Sequence, residues 1–249
     1  AAELAKALKK RGVKTFAGTK VKGVERTETG TRVLIESEKG EETLEAEVTL
    51  VAVGFKPNSR GIGLEEVGVE TDKRGFVVVD DRMQTNVPGI WAIGDVTGKL
   101  LLAHTASAMG IICAENIAGK EPRTLDYRMI PRAVYSSPQV ASFGYTEAQA
   151  KEAGFAVKVG KFNFQANGKA LGLGEYQGWV KIITDEKYGE ILGATIVGPE
   201  ASELLPELVL AQANELTVEE IAHSVHAHPT LAEALMEAAE AALGSAIHS

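Results

Sequence analysis

Cysteine is almost missing from this sequence: Cys113 is the only one among 249 residues. No disulfide can close within the chain, and a reducing, cytoplasmic compartment is the expected setting. Long apolar runs are missing too, since none reaches the roughly 18 residues that a membrane span needs. Positive charge is in short supply. Lysine and arginine total 26 against 34 aspartates and glutamates, a net charge of −8 with a pI near 5.3, which opposes attraction to nucleic acid or anionic lipid. What is present is 45% hydrophobic and 24% charged with mean hydropathy −0.02, the balance of an ordinary globular protein with ample core.

No methionine or signal-like pattern precedes the first periodic segment. Ala1 to Lys10 reads as a helix with Leu4 and Leu8 four apart. The expectation is a chain that starts in mid-domain, with upstream chemistry lying outside it. Gly12 ends the helical period, and β-rich runs follow at Val13 to Phe16, Val21 to Arg26, Thr31 to Ser37 and Thr43 to Val53. The stretch VTLVAVG, apolar from Val48 except for Thr49, predicts a strand covered on both faces and ending at Gly54, a position that ligands favour in α/β sheets.

The next stretch predicts strands at Phe76 to Val79 and Ile90 to Ile93 and a helix from Ala103 to Ala118. Beyond Pro122 the texture changes to short strands (Ala133 to Tyr135, Val140 to Phe143, Ala156 to Phe164, Trp179 to Thr184, Ile191 to Val197) with helices near Thr146 to Ala153 and Ser202 to Glu215. That alternation predicts an α+β unit on a mainly antiparallel sheet. A last helix follows HAHPT, with Pro229 suited to a first helical position and Leu231, Ala234, Leu235, Ala238 and Ala242 on one side.

Several residues could carry chemistry. Asp95, behind the apolar GIWAI and beside Gly94, could accept hydrogen bonds from ligand hydroxyls, although an aspartate after a strand is more commonly a turn-former or cap. The helix opening at Leu101, Leu102, Ala103 and His104 would aim free N–H groups and its positive end at whatever Asp95 holds. His104 alone reads as a packing or surface residue. Near the tail, His228 and Glu233 are close enough for an imidazole–carboxylate hydrogen bond that would make a proton shuttle. Thr230-x-x-Glu233 equally spells a capping box, in which the carboxylate only satisfies a backbone donor. Spacing leaves both open. His223, His226 and His228 lack a cysteine or a closed ligand set, so no metal is assigned. Cys113, between isoleucine and alanine on a helix, reads as a small buried hydrophobe.

Taken together, TNVPGIWAIGD, LLAH, FQANGKALGLGE, YGEILGATIVGPEASEL and HAHPTLAE resemble the pyridine nucleotide-disulfide oxidoreductases, and within them the branch that oxidises dihydrolipoamide. The likeness spans essentially the whole chain but only about the carboxy-terminal half of such an enzyme. It implies an α/β remnant of a nucleotide-binding domain over residues 1–54, an FAD-contacting segment over 55–122, and an α+β interface and dimerisation domain with a mainly antiparallel sheet over 123–249.

The resemblance also implies roles. Asp95 would bind the ribityl part of FAD, and Leu101, Leu102, Ala103 and His104 would lie beside its ring system. Gly54 and Val21 would lie near bound NAD. His228 would be the acid/base and Glu233 its carboxylate partner, serving the redox disulfide of the other subunit of a homodimer. A lipoyl-bearing component of a 2-oxoacid dehydrogenase or glycine cleavage complex would be the protein partner. The cysteine pair and both glycine-rich nucleotide motifs are absent from this sequence, so the chain alone is not expected to turn over. Met109 and Gln139 stand where glutamate is common in the family. A non-catalytic dimerisation module is the alternative from another class. A glutathione or mercuric reductase is disfavoured, the latter because no cysteine pair closes the chain.

Overall fold

The computed structural model describes residues 1–121 and 123–248. Helix α1 (Ala2–Lys10) is followed by a three-stranded antiparallel sheet, β1 (Lys20–Arg26), β2 (Thr31–Ser37) and β3 (Gly40–Ala46), paired in sequence order. Turn residues such as Gly40, at φ +107, make the β2–β3 hairpin tight enough to pair Ser37 with Gly40.

The expected covered strand is not there. Strand β3 stops at Ala46, and Val48, Leu50, Val51 and Val53 are 68 to 89% exposed with no strand assigned. Thr49 is tied to the sheet by its hydroxyl, 2.7 Å from that of Thr31. A doubly covered strand needs neighbours in the ladder and layers on both faces. Beyond the Thr31–Thr49 contact, no strand pairs with this run among the described residues.

Val13 to Phe16, Phe76 to Val79 and Ile90 to Ile93 are not strands either. The last two make isolated bridges, Thr71 with Val77 and Gln84 with Trp91. Asp72 and Asp80 explain the shortness. Each carboxylate accepts two backbone N–H bonds, from Arg74 and Phe76 and from Arg82 and Gln84, at 2.8 to 2.9 Å, so turns displace the ladder. Phe76, Val77 and Val79 are nonetheless buried, as the apolar pattern requires.

Helix α2 (Ala103–Ile117) buries Thr105, Met109, Ile112 and Cys113, one face of a 3.6-residue period. Met109 and Cys113 pack with Met83. Burial pushes the Cys113 thiol up, consistent with an inert core residue. Pro122, the expected boundary, lies outside the described residues.

Beyond it stands a five-stranded antiparallel sheet in the order β4 (Arg132–Val134), β5 (Gln139–Gly144), β8 (Ile191–Gly198), β7 (Trp179–Asp185), β6 (Val157–Asn163). Five helices accompany it: α3 (Glu147–Glu152), α4 (Gly168–Leu173), α5 (Ala201–Ala213), α6 (Val218–His223) and α7 (Glu233–Leu243). Helices α5 and α7 cover one face through Leu205, Leu208, Leu235 and Ala238 against Phe143, Phe162, Ile182 and Ile196. Ala150 of α3 meets Ile183 and Leu192, which point the other way. Short α4 and α6 fall within runs whose sequence pattern predicts no element. A cap marks each: Asn167 accepts from the Ala170 N–H, and Thr217 and Glu220 form a capping box.

Helix α7 comes very close to β6. A methyl group on Gly160 would collide with the Ala238 carbonyl and with Ala242, so glycine on the strand and alanine on the helix set their spacing. This contact fixes the platform from which Glu233 projects.

Candidate active site and comparison with known proteins

Glu233 opens α7, not Pro229 as the sequence suggested; the residues from Ser224 to Ala232 are irregular, with a cis His228–Pro229 bond. Its carboxylate is divided. One oxygen accepts from the His228 ring, Nδ1 to Oε1 at 2.9 Å, and the other accepts from the Thr230 N–H at 2.8 Å. Half of the capping box therefore exists, but its reciprocal half does not. The Thr230 hydroxyl donates to the Ala227 carbonyl at 2.7 Å and leaves the helix N-terminus uncapped by a side chain.

Burial alone would push the Glu233 carboxyl up. The Thr230 N–H and the His228 ring outweigh it and hold the group below its ordinary value of 4.5. As a carboxylate Glu233 can only accept, so the proton on the facing side of His228 sits on Nδ1 and the Nε2 lone pair is left for a substrate. The side chain of His228 is 77% exposed, that of Glu233 21%. Such an arrangement can take a proton from, and return it to, a group arriving from outside this chain.

The loop that carries His228 has further ties that sequence reasoning missed. Asn167, only 4% exposed, donates its amide N–H to the Thr230 carbonyl at 3.0 Å while its oxygen caps α4. The run FQANGKALGLGE contains this residue, but nothing in its spelling predicts a partner 63 positions away. His226 pairs with Glu207 of α5, and no local signal links them either. No group of three or more metal-ligating side chains is found among the described residues.

A second site lies around Gly94 and Asp95, in a single 3-10 turn (Gly94–Thr97). Gly94 has φ +73, and a methyl there would sit 3.1 Å from the Ala106 methyl, so glycine allows the turn to press against the first turns of α2. Asp95 is exposed, and its carboxylate takes no hydrogen bond among the described residues. Leu102 precedes α2 without a side-chain cap, and the buried Thr105 hydroxyl in its first turn has no partner among the described residues. A free carboxylate, unspent N–H groups and an orphan hydroxyl are what a ligand rich in hydroxyls and carrying negative charge would satisfy, so the residues present fit a flavin. His104 turns elsewhere and joins the Pro131 carbonyl through Nε2 at 2.8 Å.

Val21 and Gly54 are not brought to either site by any contact. Val21 is 60% exposed on β1 beside a bulge, and Gly54, at φ +127, follows the exposed run and ends no strand. Of the two family departures, Met109 is a core residue at 0% exposure, and Gln139 accepts from both the N–H and the hydroxyl of Ser202 at 3.1 Å, fastening the start of α5 to β5.

Two family models match this chain: residues 1–110 fit the pyridine nucleotide-disulphide oxidoreductase model, and residues 130–239 fit the dimerisation domain of the same family. A dihydrolipoyl dehydrogenase of Corynebacterium glutamicum is 52% identical, over 98% of this chain and 53% of that protein. That of Mycobacterium leprae is 50% identical, over 99% and 53%. Among solved structures, LpdA of Mycobacterium tuberculosis superposes with a TM-score of 0.89 at 30% identity, over 96% of this chain and 52% of that one. The chain thus spans about half the length of the relatives it matches. With both family models in place and the fold shared, it belongs to the pyridine nucleotide-disulphide oxidoreductases.

Proposed function

We propose that this chain is the carboxy-terminal part of a dihydrolipoyl dehydrogenase, which oxidises dihydrolipoamide to lipoamide and reduces NAD, with FAD and a redox disulfide between them. The observation that carries the reading is the His228–Glu233 pair with its second ring nitrogen exposed. The high identity to enzymes of that name supports it.

In this reading His228 takes the proton of a dihydrolipoamide thiol at Nε2, so that the thiolate attacks a disulfide. Glu233 fixes the ring's orientation and tautomer and steadies the cation that forms. FAD, when bound, would supply the carrier for the electron pair between sulfur and NAD. Asp95 would hold the ribityl hydroxyls, and Leu101, Leu102, Ala103 and the backbone of His104 would border the ring system, the His104 imidazole being held by the Pro131 carbonyl. Val21 and Gly54 are assigned to the NAD side. The cysteines of the disulfide are not in this sequence, so His228 serves a pair held by the other half of the protein.

The domain matched over residues 130–239 supports a homodimer, in which His228 faces the partner's disulfide. Residues 1–54 then belong to the nicotinamide nucleotide domain, 55–122 to the FAD segment and 123–249 to the interface domain. A lipoyl-bearing component of a 2-oxoacid dehydrogenase or glycine cleavage complex delivers the substrate. No helix among the described residues is long and apolar enough to cross a membrane, and the cytoplasm is the compartment that suits a thiol–disulfide cycle. In the full-length protein a His228→Gln variant is expected to lose lipoamide turnover by about 10²- to 10⁴-fold. Unchanged turnover would contradict the reading.

A further inference from the structure

The tail carries a second imidazole–carboxylate pair that the proposed reaction does not use. His226 Nε2 lies 2.9 Å from Glu207 Oε1, and its Nδ1 lies 2.9 Å from the Ser224 carbonyl oxygen; a carboxylate can only accept, so the Glu207 bond needs its proton on Nε2. The two histidines differ in kind. The side chain of His226 is 8% exposed with both nitrogens engaged by protein, whereas that of His228 is 77% exposed with one nitrogen free.

The segment between α6 and α7 needs such a tie. It has no regular backbone ladder, Val225 is fully exposed, and Ala227 and Pro229 are exposed as well, so apolar packing does not hold it. At its far end Thr230 is fastened to Asn167 and Glu233. At its near end, among the described residues, the side chain hydrogen-bonded to another element is His226, and Glu207 belongs to a helix seated on the sheet through Leu205 and Leu208. His228 lies midway between these two anchors.

We propose that His226 and Glu207 are a positioning pair, which sets where the His228 ring stands relative to Glu233 and to an incoming thiol. This rests on the reading of His228 as the acid/base. A base displaced by about 1 Å can lose on the order of 10²-fold in rate, so a latch two residues away controls the reaction without touching substrate. Glu207 acts here through a hydrogen bond. A glutamine can replace it, because its side-chain carbonyl accepts from Nε2–H as the carboxylate does.

The test uses the full-length protein and two reactions: oxidation of dihydrolipoamide, and NADH-driven reduction of ferricyanide, which needs no thiol proton removed. For His226→Ala and for Glu207→Ala the kcat with dihydrolipoamide is expected to fall by about 10- to 100-fold with KM within about twofold. The ferricyanide rate should be unchanged, Glu207→Gln should restore turnover to within about threefold of wild type, and the double alanine variant should be no worse than either single one. Wild-type kcat in the alanine variants would overturn the proposal. So would an equal loss in both reactions, which would reduce the pair to general support, or a Glu207→Gln variant as impaired as Glu207→Ala, which would assign the effect to charge. Retained turnover in His228→Gln is a different result and would remove the underlying reading of the base.

Discussion

Glu233 meets His228 with one carboxylate oxygen, at 2.9 Å, while spending the other on the Thr230 N–H. Orientation of the ring and termination of the loop therefore depend on the same side chain. A Glu233→Ala variant loses both, and its lipoamide turnover is expected to fall by about 10- to 100-fold, measured as steady-state kcat in the full-length protein. Glu233→Gln keeps one acceptor, for Nδ1–H, but sets an NH2 against the Thr230 N–H and carries no charge, and should fall between that variant and wild type.

Acid should undo the same contact. The folded Glu233 carboxyl is held below its ordinary value of 4.5, so it contributes stability that is complete above the unfolded value and is lost as pH falls through the lower folded one. The melting temperature of Glu233→Gln is expected to lie below that of wild type near neutral pH. The gap should close as the solution is taken below about pH 4, the range in which carboxylates protonate. A gap independent of pH would mean that Glu233 acts as shape and not as charge.

Flavin retention should depend on the turn at Gly94. A Gly94→Ala variant forces a methyl into a left-handed backbone, 3.1 Å from the Ala106 methyl, at a cost of about 1 to 2 kcal/mol. Asp95→Ala removes the free carboxylate, and at about 1.5 to 3 kcal/mol for a hydrogen bond to a charged group the affinity for FAD is expected to fall on the order of 10- to 100-fold. Flavin content after purification and titration of the apoprotein measure both.

Close approach of α7 to β6 depends on Gly160. Replacing it with alanine sets a methyl against the Ala238 carbonyl, and overpacking of this kind costs about 1 to 3 kcal/mol. Chemical denaturation of the full-length protein measures the loss. Turnover should fall as well, since α7 is the element that presents Glu233.

Much of this was legible in the sequence, for reasons tied to range. Helix α2 and strands β5 to β8 follow from local periodicity, and each is found within one or two residues of its expected limits. The His228–Glu233 contact needs only five residues and a helix start. Val48 to Val53 misled because an apolar run reports what a segment needs, not whether strands are present to meet that need. Phe76 to Val79 misled because Asp72, two positions before Arg74, offers the backbone a turn that competes with the ladder. Glu207 and Asn167 could not have been found by pattern: their partners lie 19 and 63 residues away, and only the packing of α5 and α4 brings them to the loop.

The central claim is that the His228 base of one protomer works on sulfur held by its partner, and subunit mixing tests it most directly. Full-length His228→Gln protein is combined with full-length protein whose redox cysteines are replaced, and the mixture is dissociated and reassociated. If the site is shared, each hybrid dimer carries one intact combination, and random pairing in a twofold-symmetric dimer should restore about a quarter of wild-type lipoamide turnover from two inactive parents. No recovery in hybrids shown to have formed would contradict the account.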